Sequence, residues 1–178
     1  MLVLLTGTPG TGKHTVGPRL AELLDYDYLD VSKLIGKKGE EVEISAGELN
    51  ALVSPFLHDN TVVVSHIAHF IKSKLKIVVV VLRCRPDVLS KRLKKRGYSP
   101  DKIYDNVMFE ALDGSVLEAM EANKLVIQFD NSKHIGVVLK RISTTIESGD
   151  LNGDKSIDYS AYIAQIEKRL RSNGGAIR

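Results

Sequence analysis

A glycine and lysine run near the amino end carries the strongest chemical signal in the chain. Gly7-Thr8-Pro9-Gly10-Thr11-Gly12-Lys13-His14-Thr15 follows an apolar run from Leu2 to Thr6 and precedes an amphipathic helix pattern. Glycines at 7, 10 and 12 let successive backbone N–H groups turn onto one anion. The helix start that follows adds its positive dipole end, and Lys13 brings a mobile charge to the β and γ phosphates of a nucleotide. A glycine-rich turn alone says little, whereas Gly-x-x-x-x-Gly-Lys between a strand and a helix is specific. Gly7, Pro9, Gly10, Thr11, Gly12, Lys13, His14 and Thr15 are therefore the candidates to hold nucleotide phosphates.

One position departs from that pattern. The loop ordinarily continues with Ser or Thr, whose hydroxyl ligates Mg²⁺, but here His14 stands in that place. Thr15 follows about 100° further round the helix, so it takes the metal-ligand role only with a shift in register. Either Mg²⁺ is held mainly by waters and phosphate oxygens, or His14 takes an indirect part, or His14 is a solvent-facing residue of the first turn.

Phosphoryl transfer needs positive groups aimed at the transferring phosphoryl and exclusion of water. Arg92 and Arg96, spaced i, i+4, share one helix face and lead into Gly97-Tyr98, a hinge from which a lid closes. Arg83 ends a predicted strand, at the edge where open parallel sheets bind ligands. Lys91, Lys94 and Lys95 read as a solvated face. His66 falls at the carboxyl end of the third strand, where an imidazole either orients water or a substrate phosphate or simply opens a helix. His69 reads as packing, because two histidines without a carboxylate make a thin metal site. Asp25, Asp27 and Asp30 do not form a metal cluster, since Asp25 lies in a turn and strand alternation separates 27 from 30. Asp150 to Asp158 has the rhythm of a calcium loop, yet Lys155 replaces its glycine and Ala161 its bidentate carboxylate, so it reads as a polar turn.

The elements that must position these groups alternate between strand and helix, which predicts an α/β P-loop fold: a five-stranded parallel sheet flanked by helices. Strands are expected at about 2–6, 27–30, 61–65, 76–83 and 124–129. Helices are expected from Lys13, around Ala46 to Phe56, over Asp87 to Arg96, from Asp101 to Asn123, and over Ser132 to Glu147 behind a Ser132 cap. After a polar stretch, Tyr159, Tyr162, Ile163, Ile166 and Leu170 recur at helical spacing, as a detachable terminal helix would.

The chain has 178 residues, 43% of them hydrophobic and 26% charged, which fits one globular domain. Ile77 to Leu82 is too short to span a membrane, and the first residues read as a strand rather than a signal peptide, so a cytoplasmic location is expected. One cysteine, Cys84, excludes an internal disulfide framework and a cysteine zinc site. The net charge of +3 is too mild to argue nucleic-acid binding.

The phosphate loop, Arg92-x-x-x-Arg96-Gly97-Tyr98 and Asp105-Asn106 together resemble the adenylate kinase isoenzyme six family, the ribosome-associated adenylate kinases of archaea and eukaryotic nuclei. The resemblance spans roughly residues 1–147 and leaves 148–178 outside. It implies a nucleoside-monophosphate kinase core with a monophosphate-binding insertion at about 32–60 and a short lid at about 94–106. It further implies ATP and AMP as substrates, Mg²⁺ as cofactor, ATPase activity as a second property, and association with a platform protein of the small ribosomal subunit and its RNA. A nuclear location would follow in a eukaryote. Lys13, His66, Arg92 and Arg96 would be the catalytic residues. Two departures stand out. Ser65-His66 lacks the carboxylate that precedes the family histidine, and Val31-Ser32-Lys33-Leu34 replaces Val-Gly-Asp-Leu, leaving Lys33 either to meet the AMP phosphate or to face solvent. The expected activity is reversible phosphoryl transfer from ATP to AMP. The rival is a nucleotide-gated ATPase acting in small-subunit assembly, and a third reading is a kinase for another small molecule, differing in residues 32–60.

Overall fold

Uninterrupted runs of valine and leucine, such as Ile77 to Leu82, lack the alternation of a half-exposed strand and belong in a sheet covered on both faces. The computed structural model describes residues 1–35, 44–123, 125–154 and 157–172. In it those runs become β1 (Leu2–Thr6), β2 (Asp27–Asp30), β3 (Thr61–Val64), β4 (Ile77–Arg83) and β5 (Val126–Asp130). All pair in parallel, in the order β2-β3-β1-β4-β5, so all five carboxyl ends share one edge. From central β1 the chain crosses to the edge strand β2, returns inward through β3, and then passes to β4 and β5 on the other side; the crevice at such a reversal is where open parallel sheets take ligands.

The helices among the described residues are α1 (Lys13–Leu24), α2 (Val31–Ile35), α3 (Ala46–Val53), α4 (Pro86–Lys95), α5 (Pro100–Ala111), α6 (Gly114–Ala122), α7 (Ile135–Ser148) and α8 (Ile163–Ser172). None is long and apolar enough to cross a membrane. Alternate residues of the strands divide the core. Val3 and Leu5 of β1 join Val16 and Leu20 of α1 and Leu139 and Ile142 of α7 on one face. Leu2 and Leu4 join Leu49 and Val53 of α3 and Val116 and Ala119 of α6 on the other. A smaller cluster of Cys84, Leu89, Leu93 and Val107 sits beneath α4 and α5.

Three expectations change. The single helix predicted over 101–123 is two, α5 and α6, because Asp113 takes a left-handed conformation at φ 60°. Gly114 then accepts the Phe109 ring against its backbone, where a Cβ would stand 2.3 Å from it. Ser132 does not cap α7, whose first residue follows His134; the Ser132 hydroxyl bonds Asp130 and accepts from the Arg85 N–H at 2.8 Å. The short helix predicted to Phe56 ends as an α-helix at Val53 and finishes as a 3₁₀ turn, Ser54–Phe56, because Pro55 lacks an N–H to continue it. The Gly36–Glu41 stretch and Lys124 lie outside the described residues.

The polar segment after α7 runs back along β5. The Asp154 N–H donates to Gln128 O at 2.8 Å, the Asp154 carboxylate accepts from the Asp130 N–H at 3.0 Å, and Arg141 pairs with the same carboxylate. Tyr159 is then buried beneath Arg83, and Ile166 of α8 joins the cluster under α4 and α5.

Candidate active site

β1 delivers its loop to the middle of the carboxyl edge. Gly7 leaves the strand at φ +133°, and a Cβ there would stand 2.3 Å from the Leu82 carbonyl oxygen of β4, so only glycine turns this close to the sheet. Gly12, at φ 105°, begins α1 with no side chain capping the helix. The loop carbonyls are pinned from the outside. Thr11 Oγ1 donates to Thr8 O at 2.9 Å, Asn131 Nδ2 to Thr11 O at 2.8 Å, and Arg92 Nη1 to Gly10 O and Thr11 O at 3.5 and 3.4 Å. With Thr8 O, Gly10 O and Thr11 O occupied by these side chains, the loop's N–H groups and the uncapped start of α1 are left to meet an anion, the arrangement that binds phosphate. Pro9, half-buried, makes the turn between Thr8 and Gly10.

Lys13 is 4% exposed, and its ammonium donates to Gly7 O at 2.5 Å and Thr8 O at 3.1 Å. Burial lowers its pKa from 10.5 to about 7; the Glu110 carboxylate works against that shift and Arg96 adds to it. The lysine therefore sits between a fixed negative charge from α5 and a positive one from the end of α4.

Glu110 ties the loop to the rest of the site. It is 1% exposed, accepts from Thr8 Oγ1, takes the Cys84 N–H at 2.9 Å and the Arg83 Nε at 2.8 Å. Arg83, equally buried, spends its other donors on Gln128 Oε1, Glu110 O and Asp113 Oδ1 at 2.9, 3.0 and 2.5 Å. Burial works against its charge, yet Glu110 and Asp113 raise its pKa overall. Arg83 is thus a structural node and not the ligand-facing arginine that its strand-end position suggested.

The two arginines of α4 part company. Arg92 donates to Asn131 O at 2.8 Å as well as to the loop carbonyls, and its Nη1 lies 3.3 Å from the Cys84 sulfur, so it braces the loop from behind. Arg96 is exposed, makes no side-chain hydrogen bond among the described residues, and lies near enough to Lys13 to depress its pKa. Gly97, at φ 77°, follows it as the predicted hinge, and Ser99 caps α5 through the Lys102 N–H at 3.3 Å.

On the other side of the loop stand the histidines. His66 is exposed just past β3, and its carbonyl accepts from Thr6 Oγ1 at 3.0 Å. His69 is packed as expected: 1% exposed, tilted over Phe70 at 4.2 Å, with Nδ1 2.9 Å from Thr6 Oγ1. Burial, with the charges of His66 and Lys13, lowers its pKa to about 4 and keeps the ring neutral. Its Nε2 lies 3.2 Å from a Glu118 oxygen without hydrogen-bond alignment. His14, half-exposed on the first turn of α1, places Nδ1 3.1 Å from Asp30 Oδ2 at the end of β2. Thr15 is exposed beside it, and Lys33 is exposed on α2 with its ammonium 5.9 Å over the Tyr28 ring.

Among the described residues no three His, Cys, Asp or Glu side chains converge on one point. The side chains near the loop do suit a divalent ion of the magnesium kind, which keeps most of its waters and takes phosphate oxygens as its main ligands. His14 and Thr15 are the exposed side chains at the loop's end that could meet such an ion's waters.

Glu110 and Asn131 gave no functional reading in the sequence, Thr8 was read only as part of the loop, and Asp30 only as a member of a rejected metal cluster. Glu110 had one signal, a carboxylate on the buried stripe of α5 formed with Val107 and Ala111. Asn131 had another, its place directly after β5 at the ligand edge.

Comparison with known proteins agrees with this architecture. An AAA domain family model matches residues 3–113. A protein of Thermococcus gammatolerans named "Putative adenylate kinase" is 37% identical over 179 residues, covering 96% of this chain and 99% of that one. One of the same name from Archaeoglobus fulgidus is 37% identical over 176 residues, covering 96% of each chain. The alignments therefore continue into the terminal segment, beyond the 1–147 range over which the resemblance was read. Among solved structures, shikimate kinase from Acinetobacter baumannii superposes with a TM-score of 0.63 at 19% identity, covering 85% of this chain and 95% of that one. YorR protein of Bacillus subtilis, solved with phosphorylated GDP, gives 0.60 at 20% identity, covering 84% and 98%. With its phosphate loop, its parallel sheet and near full-length relatives, the chain belongs to the P-loop kinase family of these archaeal proteins.

Proposed function

We propose that the protein transfers the γ-phosphoryl group of ATP reversibly to AMP, giving two ADP. The observation that carries this reading is Lys13, buried in a glycine loop that ends at the uncapped start of α1, with Arg96, which makes no side-chain hydrogen bond among the described residues, before the hinge. Gly7 to Thr15 hold the ATP phosphates, and Lys13 neutralises charge that develops between the β and γ phosphates. Arg96 closes over the transferring group from the short lid at 94–106. Arg92, named with it from the sequence, acts through the loop it braces. His66 orients the acceptor or a water, and Lys33, in the insertion at 32–60, meets the AMP phosphate. Magnesium would offset the charge of the phosphates, and Thr15, the hydroxyl at the end of the loop, would help to hold it. The names of the archaeal relatives support AMP as the acceptor.

A second reading, a nucleotide-gated ATPase that works in small-subunit ribosome assembly through a platform protein and RNA, is favoured by Ser65 and His14 standing where the chemistry ordinarily has a carboxylate and a hydroxyl. Purified protein incubated with ATP, Mg²⁺ and each nucleoside monophosphate in turn separates the two. ADP formation that requires AMP supports the kinase; phosphate release indifferent to AMP supports the ATPase.

A further inference from the structure

The substitution at position 14 has a partner in space. His14 Nδ1 lies 3.1 Å from Asp30 Oδ2, joining the first turn of α1 to the last residue of β2. The carboxylate is already occupied: Oδ1 accepts the Ser32 N–H at 3.0 Å and hydroxyl at 2.6 Å, and Oδ2 also meets the Tyr28 hydroxyl at 3.4 Å. Only 9% of the Asp30 side chain is exposed, against 52% for His14. Asp30 therefore has little left to offer a ligand of its own. What it does is hold an imidazole.

A carboxylate only accepts, so the proton of the neutral ring must sit on Nδ1, and Nε2 is left as a bare acceptor. The ring stands immediately after Lys13, at the position where the phosphate-loop pattern places its metal-side residue. Nitrogen is a poor direct ligand for magnesium, whereas a water on that ion is a polarised donor that seeks an acceptor. We propose that His14, oriented by Asp30, is an outer-sphere magnesium residue whose Nε2 accepts a hydrogen bond from a water carried by the ion that accompanies ATP. Asp30 is the positioning residue of the pair, in the way that buried carboxylates fix metal-side histidines. The inference rests on the phosphate-loop reading above and extends it to a position where this chain lacks the usual hydroxyl.

The test is the gain in ATP affinity that magnesium provides, measured by calorimetry in Mg²⁺ and in EDTA. It is compared for the unsubstituted protein, His14→Ala, Asp30→Asn and the double variant. Each single variant should lose roughly 10-fold or more of the magnesium gain, read within that variant as the ratio of its ATP affinities in the two buffers. The double variant should lose no more than His14→Ala alone, because both act through one ring. His14→Thr supplies a direct oxygen ligand, so it should keep the gain whether residue 30 is Asp or Asn. His14 is exposed, so its variants keep the test open if Asp30→Asn folds poorly. A magnesium gain unchanged in His14→Ala, or an Asp30→Asn loss that persists undiminished without His14, overturns the proposal. Failure of the unsubstituted protein to bind ATP in either buffer would overturn the phosphate-loop reading itself.

Discussion

Lys13 is held by two backbone carbonyls, poorer partners for an ammonium than phosphate oxygens are, and its burial sets a measurable proton balance. Between pH of about 7 and 10.5 the unfolded chain keeps a proton on this lysine that the folded protein releases. Its contribution to stability therefore rises with pH across that window and is lost as pH falls through about 7. Nucleotide phosphates favour the charged form, so ATP binding at pH 8 should take up a proton. Calorimetry in two buffers of different ionisation enthalpy reads it, and equal heats would refute the lowered pKa. Lys13→Ala should abolish turnover, since no other side chain in the loop brings a mobile positive charge to the phosphates. Lys13 was legible because a local motif places it. Glu110 was not, because its meaning depends on Thr8, 102 residues away, and contacts at that separation leave no period in the sequence. Glu110→Ala would break a buried ion pair, leaving Arg83 to the half-exposed Asp113 and the Thr8 hydroxyl and Cys84 N–H without their acceptor, and we expect a loss of about 3–5 kcal/mol in denaturant unfolding.

At the scale of elements, the sequence placed the five strands closely and the helices less well. Strand ends are marked by the apolar runs themselves. The break between α5 and α6 has no proline; it exists because Asp113 turns back to Arg83, a tertiary demand. α4 shows a similar limit. Periodicity puts Arg92 and Arg96 on one face, but one helical turn separates a residue over the loop's outer carbonyls from one beyond the helix end. Their variants should therefore differ in kind. Arg96→Ala should lower kcat on the order of 10²-fold, about 3 kcal/mol, with ATP affinity nearly kept, as for a group that acts on the transition state. Arg92→Ala should instead weaken ATP binding and lower the melting temperature, because Gly10, Thr11 and Asn131 lose a shared donor. A matching kcat-only defect in both would return Arg92 to the transferring phosphoryl.

For the whole molecule, the question is whether residues 148–172 are an appendage. The polar composition of 148–154 suggested one, yet Asp154 ties the segment to β5 and α7, and Tyr159 is 6% exposed with its ring under the Arg83 guanidinium. Amphipathic spacing revealed the helix but not what it covers, because the partner surface is assembled from α4, α5 and β4. The Tyr159 hydroxyl lies close to Asp130 and Ser132 without meeting either in hydrogen-bond geometry. The ring and the hydroxyl then make opposite contributions. Tyr159→Phe removes a buried polar group with no hydrogen-bond partner among the described residues and should be neutral or mildly stabilising. Tyr159→Ala leaves a cavity beside Arg83 and should cost about 3–5 kcal/mol, or a melting shift of roughly 2–4 °C for each kcal/mol in a chain of this size. Deleting residues 150–178 should cost at least as much, since it also exposes Cys84, Leu89 and Leu93 from beneath Ile166. Thermal melting of the three variants decides the point. A truncated protein that melts cooperatively at the full-length temperature would show the terminal segment to be an accessory, and a Tyr159→Phe variant as damaged as Tyr159→Ala would show that the hydroxyl has a partner after all.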